Sequence, residues 1–329
     1  MPVEASTLPL VAILGPTASG KSSLSIALAE TLGGEVVACD STQVYRGFDI
    51  GTAKPSTAER RAIPHHMLDL VSPAEVFTAG EYRKRALEVL ADLRRRSRLP
   101  IFTVGTGLYF RALMEGLADA PTRSEQLRTR LSAIEAKSGG EHLHKILRRL
   151  DPAAAARISP NDRQKLVRAL EVCLVSGRPL SELHQAGRQA LQGYAALKIG
   201  LNPPRPALYD RIEKRVRKML DQGWTSEVAA LLTEGAPTSA KPFEFIGYRE
   251  LRDRAETGRP LSVSIEVIAQ ATRRYAKRQL TWFRRESHVQ WFAGFGDEAE
   301  TLSGCLAYLT PLLKQFQNTV QPHGPGGAL

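Results

Sequence analysis

The feature that most constrains the fold of this chain is a glycine-rich loop that directly follows an apolar segment. Residues 10–14 read LVAIL, which is typical of a buried β-strand, and residues 15–22 read GPTASGKS. This spacing matches the pattern G-x-x-x-x-G-K-[ST], which connects a strand to the first turn of a helix. Residues 21–32 have the composition of that helix. The sequence therefore predicts a strand, a loop and a helix that begin an α/β fold.

The same loop has the composition of a polyphosphate-binding site. Backbone N–H groups in such a loop can surround phosphate oxygens, and the N-terminus of the helix directs its positive dipole end towards them. Lys21 adds a cation, and the hydroxyl of Ser22 is placed to contact a phosphate-bound Mg²⁺. The predicted phosphate-binding residues are Gly15, Pro16, Thr17, Ala18, Ser19, Gly20, Lys21 and Ser22. An ordinary glycine-rich turn is the alternative. The loop alone does not distinguish the phosphates of ATP from the diphosphate group of another ligand.

The composition is that of a soluble globular protein. The chain has 329 residues, of which 43% are hydrophobic and 24% are charged. No apolar stretch approaches the roughly 20 residues that cross a bilayer, and the N-terminus lacks the pattern of a signal peptide. Cys39, Cys173 and Cys305 are too few and too far apart for a disulfide framework or a C-x-x-C zinc site. We therefore expect a cytoplasmic protein without membrane contact, and nothing in the sequence requires more than a monomer.

The basic charge of the chain favours a nucleic-acid partner. A net charge of +11 and a pI near 9.8 exceed what one small phosphorylated ligand requires. Residues 273–286 read RRYAKRQLTWFRRE, with six cations and one acid. On a helix, the cations fall on one side and Ala276, Leu280 and Phe283 fall on another. This pattern predicts a face that binds a phosphate backbone, and a solvated amphipathic helix is the alternative.

Short apolar segments alternate with helical patterns along the first hundred residues, which predicts a parallel sheet covered by helices. Predicted strands are residues 10–14, 35–39, 99–104 and 197–201, and predicted helices include 21–32, 81–96, 124–137, 142–150, 163–176 and 209–222. The expected fold is an α/β, P-loop NTPase-like parallel sheet flanked by helices, with an all-helical insertion domain. We divide the chain into a first part of the core (1–115), the insertion (116–196), a second part of the core with basic helices (197–313) and a disordered tail (314–329).

Polar segments follow three of the apolar segments. They are the glycine-rich loop, residues 40–43 (DSTQ) and residues 105–107 (GTG). Ligands bind beyond the carboxyl ends of the strands in parallel sheets, so we expect these segments to lie together. Asp40 is a candidate catalytic carboxylate at this edge. It could instead hydrogen-bond a ligand of Mg²⁺ or cap the following turn.

Six segments together resemble one enzyme family. They are GPTASGKS at 15–22, DSTQVYRGFDIGTAKP at 40–55, PHH at 64–66, GTGLY at 105–109, IGYR at 246–249 and AKRQLTW at 276–282. In this order, within residues 10–291, they resemble the tRNA dimethylallyltransferases, prenyltransferases that modify the adenosine next to the anticodon. The resemblance implies that dimethylallyl diphosphate donates its dimethylallyl group to N6 of adenosine 37, in tRNAs that read codons beginning with U, with Mg²⁺ assisting.

The resemblance also implies roles for individual residues. The glycine-rich loop would hold the donor diphosphate, Asp40 would accept the proton of the adenine amine, Thr106 would lie near the reacting centre, and Arg215 would help to bind the diphosphate. The insertion would contact the tRNA anticodon stem-loop from one side. The implied tRNA contacts are Asp40, Ser41, Thr42, Gln43, Thr106, Arg128, Gln164, Lys165, Leu166, Val167, Arg168, Ile246, Gly247, Tyr248, Arg249, Lys277, Arg278, Gln279, Thr281, Trp282 and Arg284.

The sequence departs from the family pattern at two positions. Val104 stands where the family has the first glycine of G-G-T-G-L-Y, and this side chain is expected to narrow the donor site. Glu244 lies in the region where a basic residue precedes I-G-Y-R, so one RNA contact is expected to differ. The C-terminal part contains no Cys/His zinc finger, and we therefore expect the bacterial form of the family.

Several aromatic and histidine side chains have two interpretations. Tyr45, Tyr109 and Tyr248 are candidates for stacking on an extruded base, or for ordinary core packing. His65 and His66 are adjacent and cannot both face one ligand from a regular element, so we expect them to pack or cap. Two other functions stay open: a nucleotide kinase or NTPase whose loop binds ATP, and a non-catalytic RNA-binding protein.

Overall fold

The structure of the protein is a computed structural model, which describes residues 7–185 and 187–320. Residues Met114–Leu191 form one compact unit, called here the helical unit. The parts of the chain before and after it form the other, called here the sheet unit. The sequence places the insertion at 116–196, whereas strand pairing of the sheet unit already includes Tyr194. Among the described residues, no helix combines the length and apolarity that a bilayer crossing requires.

The strands of the sheet unit form a single parallel sheet. They are β1 (Leu8–Leu14), β2 (Gly34–Cys39), β3 (His65–His66), β4 (Leu99–Val104), β5 (Tyr194–Leu201) and β6 (Val289–Phe292), in the order β3-β2-β4-β1-β5-β6. Each described pairing is parallel. Val104 pairs with Leu14 on one side and with Cys39 on the other. Strands β1, β2 and β4 therefore end side by side, and the three predicted polar segments begin at that edge.

Helices flank the strands of the sheet unit, and further helices build the helical unit. They are α1 (Lys21–Leu32), α2 (Thr57–Ala62), α3 (Ala79–Arg95), α4 (Gly107–Glu115), α5 (Glu125–Leu150), α6 (Pro152–Ala155), α7 (Arg163–Ser176), α8 (Leu180–Gln185), α9 (Arg205–Asp221), α10 (Trp224–Thr233), α11 (Tyr248–Thr257), α12 (Leu261–Phe283) and α13 (Ala299–Val320). A 3₁₀ turn spans Lys241–Glu244. The predicted fold class, a parallel sheet flanked by helices with a helical insertion, is confirmed.

The core of the sheet unit holds the glycine-rich loop in place. Val11 and Ile13 of β1 pack in one cluster with Leu24 and Leu28 of α1, and all four are completely buried. Burying each such side chain contributes roughly 1.5–3 kcal/mol. Because both the strand and the helix are anchored, the loop between them has fixed ends.

The structure corrects the sequence prediction at the ends of the sheet and at the C-terminus. Strands β3 and β6 were not predicted, because two and four residues are too short for a periodic pattern. Helix α13 extends to Val320, so residues 314–320 are helical and not the predicted disordered tail. The helix persists because Leu302, Leu306 and Leu313 place an apolar stripe against the core. Residues 321–329 of the predicted tail lie outside the described residues.

The adjacent histidines have separate partners. Nε2 of His66 lies 2.7 Å from Oε2 of the buried Glu35, and Nδ1 of His65 lies 2.7 Å from the carbonyl oxygen of Ile63. Burial lowers the pKa of His65. These contacts agree with the predicted packing role and place neither ring on a shared ligand.

The helical unit has its own apolar core and a kinked first helix. Leu143, Leu147, Leu166 and Leu170 are completely buried in one cluster. The two helices predicted at 124–137 and 142–150 join as α5, with a non-helical kink at Gly139, where φ is +77°.

A buried carboxylate joins the two long helices of this unit. Glu171 of α7 is completely buried, and its side chain accepts hydrogen bonds from Arg128, Arg168 and the backbone N–H of Ser124. Burial alone would raise the pKa of Glu171, but these hydrogen bonds outweigh it and lower the pKa to about 2. Glu171 is therefore ionised and stabilises the fold through its cationic partners.

We predict that Glu171→Gln destabilises the helical unit by about 1.5–3 kcal/mol, because it removes the charge that strengthens the hydrogen bonds from two arginines. The folded pKa is depressed, so the contribution of Glu171 is complete above pH 4.5 and is lost as the pH falls towards 2. Urea unfolding and hydrogen exchange of α7 between pH 7 and pH 3 measure this difference. Glu125→Gln, which alters an exposed pair with Arg123, is the matched control and should change stability by less than about 1 kcal/mol. An equal loss in both variants would contradict the assignment.

Candidate active site

The glycine-rich loop is closed on its outer side by the segment that follows β6. Gly20, at the start of α1, has φ +87°. A Cβ at this position would lie 2.7 Å from the backbone nitrogen of Gly296, so only glycine fits. The N–H of Gly296 donates to the carbonyl oxygen of Ser19 at 2.9 Å. The loop is therefore held by a backbone segment that the sequence analysis did not assign.

Lys21 lies inside the loop that it follows. Its Nζ donates to the carbonyl oxygens of Gly15 and Pro16, at 2.8 and 2.9 Å. Burial lowers the pKa of Lys21 to about 8, Asp40 opposes this shift, and Arg215 adds to it. The three side chains are therefore close enough to influence one another's charge.

Arg215 of α9 is the second cation of the site. The guanidinium is half-buried and makes no hydrogen bond to any described residue. Burial and the neighbouring Arg211 lower the pKa of Arg215, and Asp40 opposes them. A desolvated cation without a hydrogen-bonding partner is suited to an anionic ligand.

Asp40 emerges directly from the end of β2. Its Oδ1 accepts hydrogen bonds from the N–H and the hydroxyl of Thr42, at 2.8 and 2.7 Å. Oδ2 makes no hydrogen bond to the described residues and lies against Gly105, where a Cβ would overlap it. Asp40 therefore caps its own turn, as one interpretation of the sequence proposed, and still has an oxygen that can accept a proton.

Thr106 connects the loop after β4 to the loop after β2. Its Oγ1 accepts from the N–H of Ser41 at 3.0 Å and lies 3.1 Å from the Ser41 hydroxyl. The N–H groups of Gly105 and Thr106 both donate to the carbonyl oxygen of Cys39. The structure thus brings together the three residues predicted to be catalytic, Asp40, Thr106 and Arg215, at one edge of the sheet.

The loop that continues from Asp40 is stabilised by a lysine for which the sequence analysis gave no role. The side chain of Lys54 is 1% exposed, and its Nζ contacts the Tyr45 carbonyl, Asp49 and Asp69. Nε2 of Gln43 donates to the carbonyl oxygens of residues 52 and 53. These contacts fold residues 43–55 back on themselves and orient Gln43.

Helix α12 has the two faces that the sequence predicted. Its exposed residues near the C-terminal end include Lys277, Arg278, Thr281 and Arg284. Trp282 is half-buried against Gly107, where a Cβ would overlap its ring, and Arg111 lies 4.8 Å from the ring centroid. Gln279 is buried and hydrogen-bonds to Thr17 and Gly105, and its contact with tRNA stays a prediction.

Several other predicted RNA contacts have buried side chains. Leu166 and Val167 lie in the core of the helical unit, whereas Gln164 and Lys165 of the same helix are exposed. The apolar side chains hold α7 in place, and the contact of this segment with RNA stays a prediction.

The three candidate stacking tyrosines also belong to the core. Tyr45 and Tyr248 are completely buried, and Tyr109 is 4% exposed. Tyr248 packs on Phe48 and Trp224, and its hydroxyl donates to Glu227. None of these rings is available to stack on a base.

The predicted RNA-binding segment 246–249 leads into the first turn of α11. Gly247 has φ +91° and is buried where a Cβ would overlap Trp224, and Ile246 is half-buried. Arg249 is exposed and contacts Glu250. Glu244, the acidic departure from the family pattern, is exposed and contacts Arg252. Arg249 is therefore the exposed side chain of the 246–249 set, and the contact of this set with RNA stays a prediction.

Comparisons with known proteins find similar proteins over most of the chain. A family model described as IPP transferase matches residues 43–286. Proteins called tRNA dimethylallyltransferase include one from Koribacter versatilis, 51% identical over 290 residues (88% of this chain, 94% of that protein), and one from Solibacter usitatus, 50% identical over 293 residues (89% and 95%). The crystal structure of a tRNA isopentenylpyrophosphate transferase from Bacillus halodurans has a TM-score of 0.69 at 36% identity, covering 94% of this chain and 98% of that one. A eukaryotic dimethylallyltransferase acting on tRNA has a TM-score of 0.78 at 24% identity, over 96% and 81% of the chains, which is a likeness of fold.

The lowered pKa of Lys21 predicts pH-dependent binding of inorganic diphosphate. Lys21 is charged below pH 8 and loses its proton above it, so the dissociation constant should rise about tenfold between pH 7 and pH 9. Isothermal titration calorimetry at several pH values measures this change. Lys21→Arg keeps its charge over this range and corrects for the titration of diphosphate itself. Parallel pH profiles for the wild type and Lys21→Arg would refute the prediction.

Proposed function

The chain belongs to the IPP transferase family, and we propose that it transfers a dimethylallyl group from dimethylallyl diphosphate to N6 of adenosine 37 in tRNAs that read codons beginning with U. The products are N6-(dimethylallyl)adenosine and diphosphate. One observation carries the assignment of the site. Asp40 keeps a carboxylate oxygen without a hydrogen bond beside Lys21 and Arg215, so a base and an anion-binding site lie together.

Asp40 acts on the nucleophile in this proposal. The exocyclic amine of adenine is a weak nucleophile because its lone pair is delocalised into the ring. As N6 forms a bond to the allylic carbon, Oδ2 of Asp40 accepts the proton that the amine loses. General-base assistance of this kind contributes roughly 10²–10⁴ in rate. Thr106 supports the reaction by fixing the backbone of Ser41, next to the base.

Lys21, Arg215 and the loop amides act on the leaving group. The bond between the allylic carbon and the diphosphate oxygen breaks, and the electron pair stays with the diphosphate. Cations and N–H groups that are already in place stabilise this negative charge without reorganisation. Removal of one such contact typically costs about 3–4 kcal/mol in the barrier. We therefore assign residues 15–22, which are predicted to bind phosphate, to binding of the donor diphosphate.

Ser22 fits a role in binding Mg²⁺ through the donor. Its side chain is exposed at the start of α1 and makes no hydrogen bond to the described residues. Mg²⁺ commonly keeps several waters and combines one or two protein ligands with substrate phosphates. When bound, Mg²⁺ neutralises charge on the diphosphate.

The tRNA partner is supported by the exposed cations. Lys277 and Arg278 of α12 form a basic face with Arg284, which directly follows the helix, and Gln164 and Lys165 are exposed on α7. Such faces give sequence-independent affinity for a phosphate backbone that weakens with salt. We assign them to the anticodon stem-loop and leave the base contact to Ser41, Thr42 and Gln43. We further propose that the enzyme is a cytoplasmic monomer.

The proposal predicts a specific product and a specific defect. Incubation of the wild type with dimethylallyl diphosphate and tRNA should add the mass of a dimethylallyl group to adenosine 37, as measured by mass spectrometry of nuclease fragments. Asp40→Asn should reduce the rate roughly 10²–10⁴-fold, because the amide cannot accept the proton, while the dissociation constant for tRNA stays within about twofold.

Asp92→Asn is the control for this experiment, since Asp92 lies in α3 and forms ion pairs with Arg95 and Arg96 away from the site. Its rate should equal that of the wild type. Transfer of phosphate from ATP in place of prenyl transfer would identify a kinase. Tight tRNA binding without any turnover of the wild type would identify a non-catalytic RNA-binding protein.

A further inference from the structure

A buried glutamine of α12 connects the donor loop to the loop beside the base. Gln279 is 6% exposed. Its Oε1 accepts a hydrogen bond from the N–H of Thr17 at 2.8 Å, and its Nε2 donates to the carbonyl oxygen of Gly105 at 2.8 Å. One side-chain amide therefore joins two loops that are about ninety residues apart in the sequence.

Both partners of Gln279 belong to loops that carry the candidate reacting residues. Thr17 lies in the middle of the phosphate-binding loop, between Pro16 and the helix that begins at Lys21. Gly105 lies directly against Oδ2 of Asp40. Two hydrogen bonds thus lead from the backbone that would hold the diphosphate to the residue that supports the base.

The chemistry of the two partners requires an amide. The Thr17 N–H needs an acceptor and the Gly105 carbonyl needs a donor, and a neutral glutamine supplies both from one planar group. A carboxylate supplies acceptors only, and methionine supplies no strong hydrogen bond. Tyr275, one turn earlier on α12, donates to the same carbonyl oxygen at a longer distance of 3.3 Å.

We propose that Gln279 is a positioning residue that sets the distance between the donor diphosphate and the Asp40 carboxylate. This inference rests on the proposed function, because it assigns the spacing to the prenyl-transfer step. A displacement of reacting atoms by about 1 Å can reduce a rate by about 100-fold. The burial of Gln279 separates this role from tRNA binding, which the exposed Lys277 and Arg278 on the same helix can perform.

The first test replaces the amide with an apolar side chain of similar length. In Gln279→Met, kcat for prenyl transfer should fall about 10–100-fold, while the dissociation constant for tRNA stays within about twofold. Gln270→Met is the matched control, because Gln270 is exposed on the same helix and has no hydrogen bond to a described residue. It should retain wild-type kcat. Thermal unfolding of both variants shows whether each is folded.

The second test uses the protonation of a carboxyl group. In Gln279→Glu, the ionised side chain faces the Gly105 carbonyl without a proton to donate, whereas the protonated form can accept from Thr17 and donate to Gly105. Burial raises the pKa of a carboxyl. The ratio of variant to wild-type kcat should therefore increase about tenfold as the pH is lowered from 8 to 6. A residue that only stabilises the fold would give a ratio independent of pH.

Each outcome decides the proposal. It is overturned if Gln279→Met keeps kcat within about twofold of the wild type, if tRNA affinity falls while kcat is unchanged, or if the Gln279→Glu ratio does not vary with pH. A folded Gln279→Met with low kcat and normal tRNA affinity, together with the rise at low pH, supports it. Absence of the prenylated product from the wild type would instead overturn the proposed function itself.

Discussion

The parallel register of β2, β4 and β1 is the constraint on which the candidate site depends. These strands end side by side, so the residues that follow them, Asp40, Gly105 and Gly15, emerge at one edge of the sheet. The backbone of Gly105 lies so close to the side chain of Asp40 that a Cβ at Gly105 would overlap the carboxylate. Backbone hydrogen bonds of the sheet therefore set where the base lies, and the loops add only the final orientation.

Charge is distributed differently at this edge than elsewhere in the chain. Glu171 and Glu35 are buried carboxylates surrounded by cations, and hydrogen bonds from arginine lower the pKa of both below its ordinary value. At the candidate site, cations outnumber carboxylates and are not neutralised by ion pairs between the described residues. Two half-buried cations, Lys21 and Arg215, face one carboxylate, Asp40, without an ion pair, and burial lowers the pKa of both cations. Such an arrangement is stabilised by an added anion, which is what a diphosphate donor provides.

Local patterns in the sequence predicted the parts of the structure that local interactions determine. The bounds of α1 and β4 agree with the sequence prediction, because a glycine-rich loop, an apolar run and a C-terminal glycine are read from neighbouring residues. The burial of Tyr248 and Leu166 depends on the other elements that their helices pack against. A single sequence does not contain this tertiary information. The burial of Gln279 could be partly predicted, since it lies three residues after Ala276 on the apolar side of the helix.

In the proposed function, helix α12 contacts RNA with its exposed face and supports the reacting groups with its buried face. Its buried side places Ala276 in a cluster with Ala18 of the phosphate-binding loop, and Gln279 bonds to that loop and to Gly105. Its exposed side presents Lys277 and Arg278, which immediately precede Gln279. All these residues lie within about one helical turn, so the backbone hydrogen bonds of the helix fix the positions of their Cα atoms relative to one another. In the proposed function, one continuous helix therefore carries both the cations that bind the RNA and the amide that aligns donor and base.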